Sequence, residues 1–195
     1  RDIPPGSVDQ VLLVDDASAD ATVEEARRLD LMVFVHSANR GYGGNQKTCY
    51  TQALKLGADI VVMLHPDYQY DPKRIPDMVA PIKAGAADLV LGSRLLDGKA
   101  IAGGMPVYKY ISNRVLTTVE NLVLGQRLSE MHTGYRAYSR RLLEAIPFLD
   151  NSEDFVFDTE VIVQTAAFGF RITEIGVPSK YMPEASSIRF WPSVV

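Results

Sequence analysis

The first half of the chain alternates short apolar runs with helix-like segments, and this alternation limits the folds it can adopt. Runs of β-branched and Leu residues bounded by polar ones predict strands at residues 8–16, 31–38, 58–67 and 87–95. Helix start and stop signals lie between them and predict helices at residues 18–29, 45–57 and 71–85. Because strands that are apolar throughout are buried on both faces, the pattern predicts an α/β fold with a mostly parallel sheet flanked by helices.

Capping and turn residues define the boundaries of these helices more closely. Ser18 or Asp20 is the expected cap of the first helix, and residues 39–44 ("NRGYGG") predict a glycine-rich turn before the second. Asp71-Pro72 is a typical helix start, because Pro at the first helical position has no N–H to leave unpaired.

The second half continues the same domain, because no linker-like segment separates the two halves. It predicts a loop at 97–110, a long helix at 110–125, an irregular or strand-like segment at 128–139, helices at 139–147 and 154–169, and a last strand at 171–181. We therefore expect one domain over residues 1–195, in which the second half completes the sheet and builds one side of a cleft.

Composition excludes several functional classes. A net charge of −4 argues against a strongly basic nucleic-acid surface. The chain has one cysteine, Cys49, so an intrachain disulfide cannot form. No apolar run reaches the roughly 18 residues of a membrane span, and no signal peptide is recognisable, so a cytoplasmic location is expected, with the inner face of the membrane as an alternative.

Polar side chains follow each of the four predicted strands. Ligands of open α/β sheets bind outside the carboxyl ends of the strands. The residues at these ends are Asp15, Asp16, Ser18, Asn39, Arg40, Gly41, His65, Asp67, Gln69, Ser93 and Arg94. One such group is commonly only a helix cap, but four converging on one edge favour a nucleotide site. The carboxylates would bind base N–H groups or ribose hydroxyls.

Asp67 is the candidate metal ligand in this set. Mg²⁺ or Mn²⁺ often takes only one or two protein carboxylates, with diphosphate oxygens and water completing its shell, and Gln69 would support it. A zinc site is disfavoured because no His-x-x-x-His or Cys-x-x-Cys pair exists. "GGNQKT" lacks the Gly that a P-loop needs before Lys47, and "GYGGNQ" has Gln46 where a dinucleotide fingerprint has Gly.

Several segments together resemble family 2 glycosyltransferases of the GT-A fold. "VDDASAD" is similar to their "VDDGSTD", and "NRGYGGNQKTCYTQALKLGADIVVMLHPDYQYDP" to their N-x-G-x-G block leading into D-x-D-x-Q. "ADLVLGSR", "MHTGYRAYSRRLLEAI" and "RITEIGVPSKYMPEASS" resemble later motifs of the branch that includes dolichol-phosphate mannose synthase. The matches cover nearly the whole chain in order.

The resemblance implies a Rossmann-like, mostly parallel central sheet and a divalent metal that binds a nucleoside-diphosphate sugar. It assigns the base and ribose to Asp15 and Asp16, and the metal and diphosphate to Asp67 with Gln69 beside it. Asn39 and Gly43 match the donor-binding block. Arg94 matches an Arg that faces phosphate, and Arg136 and Glu160 match positions on the acceptor side.

Two departures from the family pattern bear on function. His65 stands where the first Asp of D-x-D is expected, and a neutral imidazole suits Mn²⁺ better than Mg²⁺. The family's usual first strand, ending in "P-x-[YF]-N-E", has no counterpart here, because residues 1–9 resemble the turn after the first helix. We therefore expect a GT-A domain that lacks this strand, N-terminally truncated.

The resemblance implies an inverting transfer to an acceptor such as a polyprenyl phosphate or a cell-envelope glycan. An alcohol acceptor needs a general base, for which Asp154, Asp158 and Glu160 are candidates. A phosphate acceptor is already anionic and would instead be placed by Arg94, Lys109 and Arg136. The helix at 110–125 would touch a membrane surface or pack its apolar face on the sheet.

Two other readings stay open from sequence alone. One is a nucleotidyltransferase, although its glycine-rich loop is not found. The other is a non-catalytic nucleotide-sugar-binding domain in which His65 marks a decayed metal site. The sugar, the nucleotide and the oligomeric state are not encoded in any motif.

Overall fold

The computed structural model describes residues 2–67, 69–98 and 100–178. Its strands are β1 (Leu12–Asp15), β2 (Met32–Val35), β3 (Ile60–Met63), β4 (Leu89–Ser93), β5 (Arg136–Ser139) and β6 (Ile172–Gly176). Its α-helices are α1 (Thr22–Arg28), α2 (Gly41–Lys55), α3 (Ile75–Lys83), α4 (Val107–Leu124), α5 (Arg140–Ala145) and α6 (Phe157–Ala167). Short 3₁₀ helices cover Pro72–Arg74 and Phe148–Asp150.

The strands form two sheets within the described residues. β1 pairs with β2 in parallel, and the larger sheet has the order β3-β5-β4-β6. β5 is antiparallel to both β3 and β4, whereas β4 and β6 are parallel. Three strands of the larger sheet therefore run in one direction and only β5 is reversed, so the mixed α/β architecture is confirmed. The segment left open as irregular or strand-like contains this reversed strand.

The core is built on both sides of β4, whose residues are all buried. On one side Leu89 and Leu91 pack with Tyr50, Tyr138 and Phe157 from the helices and β5. On the other side Val90 packs with residues of α3 and the loop before it. The continuous apolar run of this strand is thus explained by helices on both faces.

Several helix boundaries differ from the sequence prediction. α2 begins at Gly41, so most of the predicted glycine-rich turn is the first turn of a helix. α1 is capped at Ala21, with Asp20 accepting the Thr22 N–H at 3.0 Å. Asp71 caps a 3₁₀ turn, accepting the Lys73 N–H at 3.0 Å, before α3 starts at Ile75. The predicted strand beyond Pro178 lies outside the described residues.

Candidate active site

Asp16 ties the carboxyl end of β1 to the first turn of α2. Its carboxylate accepts the backbone N–H groups of Arg40 at 2.8 Å and Gly41 at 3.0 Å, and it lies 2.7 Å from Nδ1 of His36. Partial burial raises the pKa of Asp16, but these hydrogen bonds outweigh it and bring the pKa below its ordinary value. The neighbouring Asp15 is buried and accepts the Ser18 N–H at 3.0 Å. Both predicted nucleotide ligands therefore support the fold, and their contact with a nucleotide stays a prediction.

The glycines that open α2 give room to the loop before α6. The Gly43 N–H donates to the carbonyl of Glu153 at 2.8 Å, and a Cβ on Gly43 would lie 3.0 Å from the carbonyl oxygen of Asp154. Asn39 is exposed, and its Oδ1 accepts the Gly41 N–H at 3.0 Å. The close approach of this loop leaves no room for a Cβ on Gly43, and contact between Gly43 and a donor stays a prediction.

A half-buried polar cluster joins α2, the loop after β3, β5 and α6, and it consists of Tyr42, His65, Arg136 and Asp158. The Tyr42 hydroxyl donates to Oδ2 of Asp158 at 2.9 Å and lies 3.2 Å from Nε2 of His65. Burial, followed by the charge of Asp158, raises the Tyr42 pKa well above its ordinary value, so the hydroxyl keeps its proton. Since that proton goes to Asp158, His65 donates from Nε2, and its lone pair is on Nδ1.

His65 is held neutral in this cluster. Burial, its largest influence, lowers the His65 pKa, with Arg136 acting in the same direction and Asp158 and Asp67 opposing it. The ring lies against Gly134, where a Cβ would come within 2.7 Å of Nε2. A neutral imidazole with a lone pair on Nδ1 is a suitable metal ligand or proton acceptor.

Arg136 connects the cluster to the backbone of the neighbouring segments. Its side chain is 1% exposed, and its nitrogens donate to the carbonyls of Thr133 at 2.8 Å, Asp158 at 2.7 Å and Met131 at 3.1 Å. Its Nη2 also lies 3.6 Å from Oδ2 of Asp158. A guanidinium enclosed in this way positions the segments around it, and contact between Arg136 and an acceptor phosphate stays a prediction.

Arg94 is paired with a carboxylate that the sequence analysis did not single out. Its backbone N–H donates to Oε2 of Glu130 at 2.7 Å and its Nε to Oε1 at 2.9 Å, and Glu130 is fully buried. The guanidinium also lies over the Tyr70 ring, 5.9 Å from its centre. Lys109, the third predicted acceptor cation, lies half-buried in the first turn of α4. Phosphate binding by Arg94 and Lys109 stays a prediction.

The three predicted general bases have different surroundings. Glu160 is used as a cap, accepting the N–H of Ser152 at 2.7 Å and its hydroxyl at 3.1 Å. Asp154 is exposed and accepts the Val156 N–H at 2.9 Å. Asp158 lies in the cluster, and its Oδ1 is buried with no hydrogen-bond partner among the described residues. The role of all three carboxylates as a general base stays a prediction.

Asp67 fits the metal role in part. It is exposed just beyond β3, and one oxygen accepts the Gln69 N–H at 3.0 Å. Among the described residues no group of three His, Cys, Asp or Glu side chains is placed to hold a metal. One open carboxylate, with a neutral His65 close enough to respond to its charge, suits Mg²⁺ or Mn²⁺ only when the donor's diphosphate completes the shell. The residues fit a metal that binds together with the donor.

The strand ends of the larger sheet do converge. The Tyr70 hydroxyl accepts the Gly134 N–H at 3.1 Å, and Gly134 lies against His65, so Tyr70 and Gly134 connect Arg94 to the polar cluster. Glu130 could have been found, because it occupies the Asp position of the D-x-x-S-G-[FY]-R pattern. Tyr42 could not, because it fills a variable position of the glycine-rich block.

A separate cavity of about 480 Å³ lies between β2 and α2. Its lining shares His36 and Arg40 with the surroundings of Asp16 but includes no member of the polar cluster. This cavity is thus distinct from the cluster at the strand ends.

The fold is that of GT-A glycosyltransferases. The structure superposes on glucosyl-3-phosphoglycerate synthase from Mycobacterium tuberculosis with a TM-score of 0.68 and 20% identity, covering 90% of this chain and 63% of that one. The same enzyme has been crystallised with Mn²⁺ and uridine diphosphate. The chain therefore spans less than two thirds of this solved structure. At 20% identity, the similarity establishes the fold alone.

The chain belongs to glycosyl transferase family 2, because the sequence model of that family matches residues 2–146. It is 30% identical to undecaprenyl-phosphate mannosyltransferase of Micrococcus luteus over 91% of this chain and 73% of that protein. It is 25% identical to the UDP-N-acetylglucosamine–dolichyl-phosphate N-acetylglucosaminyltransferase of Methanococcus voltae, over 89% of this chain and 75% of that protein. The predicted family and the glycosyltransferase class are confirmed.

Proposed function

We propose that the chain transfers a sugar from a nucleoside-diphosphate sugar to a polyprenyl phosphate, with inversion at the anomeric carbon. The observation that carries the proposal is the surface formed by the exposed Asp67 and the half-buried Tyr42, His65 and Asp158 at the strand ends. The names of the relatives support the acceptor class, because two of them act on undecaprenyl and dolichyl phosphates.

The state of the carboxylates supports an acceptor that is already charged. Glu160 already accepts a hydrogen bond from the Ser152 N–H. Oδ2 of Asp158 accepts one from the Tyr42 hydroxyl and lies near the buried Arg136. An alcohol acceptor would need a carboxylate that is free to take its proton. A phosphate oxygen carries its own negative charge and needs no proton removed, so this arrangement suits it.

In the proposed reaction, a phosphate oxygen of the lipid attacks the anomeric carbon on the face opposite the leaving group. The new carbon–oxygen bond forms as the bond to the nucleoside diphosphate breaks, and the leaving group departs with the electron pair. A bound divalent metal would supply positive charge to the diphosphate. Asp67, exposed beyond β3, would orient the donor.

The test is a transfer assay with radiolabelled GDP-mannose, UDP-glucose and UDP-N-acetylglucosamine and Mn²⁺. Each donor is offered undecaprenyl phosphate or, as the matched control, undecaprenol without the phosphate. We expect label in the lipid fraction only with the phosphate, and a β-linked product from an α-linked donor by NMR. Transfer to undecaprenol alone, or an α-linked product, would contradict the proposal. Donor binding without turnover would support a non-catalytic domain.

A further inference from the structure

α4 carries an apolar surface on the side that faces away from the protein. Large apolar side chains recur at spacings of three and four residues and so share one side of the helix. All are at least half exposed, and Leu122 and Val123 are 85% and 76% exposed. We call this surface the α4 outer face, and its members are Tyr108, Ile111, Val115, Val119, Leu122 and Val123.

The core of the domain does not need this surface, because α4 binds the sheet through its opposite side. There Asn113 and Thr117 are buried. Nδ2 of Asn113 donates to Glu130 at 2.8 Å, and the Thr117 hydroxyl accepts the Met131 N–H at 3.3 Å. An apolar stripe along a helix of 18 residues, about 27 Å long, is therefore left for another partner.

The charges around the outer face match an anionic surface. α4 has three charged residues, and its only acid, Glu120, turns inward to within 3.1 Å of His132. At 100° per residue, Lys109 and Arg114 flank opposite borders of the apolar stripe, and the exposed Arg127 follows the helix. Apolar side chains bordered by basic ones are typical of helices that lie in the headgroup region of a membrane.

A second copy of the chain fits this surface less well. In a two-fold symmetric dimer the same face meets itself, which would bring the basic borders of both copies together. An anionic bilayer meets the same borders with opposite charge. It also covers apolar side chains without requiring a shape-matched partner.

We propose that the α4 outer face docks the domain on an anionic lipid bilayer. The inference rests on the proposed function for its purpose, since a polyprenyl phosphate is delivered from a bilayer. The inner side of α4 holds Glu130, which in turn holds Arg94, so one helix connects the lipid surface to the strand-end site. Because the chain has a net charge of −4, this basic-bordered face would also orient it on the membrane.

The test is co-sedimentation of the chain with vesicles of phosphatidylglycerol and phosphatidylcholine that contain no polyprenyl phosphate. The double variant Leu122→Gln/Val123→Gln removes the most exposed apolar residues. Its matched control is Leu29→Gln/Leu56→Gln, two similarly apolar positions that are 54% and 49% exposed on other helices. We expect at least a ten-fold lower partition coefficient for the α4 variant and no change for the control.

Charge is tested separately with Arg114→Glu, which should weaken binding to anionic vesicles and leave binding to pure phosphatidylcholine unchanged. Circular dichroism checks that each variant is folded. Vesicle binding that survives both α4 changes would overturn the proposal. So would a wild-type dimer that ignores vesicles and becomes monomeric in the Leu122→Gln/Val123→Gln variant. Vesicle binding without sugar transfer in the assay above would refute only the proposed function.

Discussion

His65 has both a chemical and a packing role in the candidate site. Its Nε2 donates to Tyr42, its ring lies on Gly134, and its Nδ1 lone pair is left for a ligand or a proton. The sequence predicted that this residue replaces a carboxylate, but it could not predict the hydroxyl of Tyr42 that fixes the ring. Contacts between residues far apart in the chain depend on the folded geometry and leave no local pattern.

A double-mutant cycle tests this account of His65. Gly134→Ala places a Cβ 2.7 Å from Nε2 and 2.8 Å from Cδ2 of His65, so we expect a loss of about 1–3 kcal/mol in the free energy of unfolding. In a His65→Ala background the same change should cost less, because the ring it meets is absent. Urea denaturation of the four proteins measures the coupling. Equal costs in both backgrounds would show that His65 does not pack as described.

The first turn of α2 shows how elements were partly predictable. The sequence placed a helix after a glycine-rich turn, whereas α2 already begins at Gly41. The reason lies outside the helix: the carboxylate of Asp16 and the carbonyl of Glu153 accept N–H groups from its first turn. A helix whose caps come from distant segments cannot be delimited by its own sequence.

Asp16→Ala tests this capping. The change removes the acceptor for two backbone N–H groups and for His36, and we expect unfolding free energy to fall by about 2 kcal/mol or more. Asp20→Ala, at the exposed start of α1, is the control and should cost less. Thermal and urea unfolding give both values. An Asp16→Ala protein of unchanged stability that loses nucleotide binding would assign this residue to the ligand.

At the scale of the whole molecule, the alternation of apolar runs and helices predicted the α/β class, because burial on both faces leaves a direct mark on composition. The reversal of β5 left no such mark, since its four residues, RAYS, include two polar ones and form no continuous apolar run. The apolar outer side of α4 was likewise hidden, because its sequence suits either core packing or a membrane surface. No helix of the described residues meets the length and hydropathy needed to cross a bilayer.

The central claim is that Asp67 and a divalent metal together hold the diphosphate of a nucleotide donor at the strand ends. The most direct measurement is calorimetric titration of the chain with UDP and GDP, each with and without Mn²⁺. It is repeated on Asp67→Asn and on the control Asp77→Asn, an exposed acid that pairs with Arg74 at 3.1 Å. We predict Mn²⁺-dependent binding of one nucleotide that weakens at least ten-fold in Asp67→Asn and is retained in Asp77→Asn. Binding that is indifferent to both Mn²⁺ and Asp67→Asn would contradict the claim.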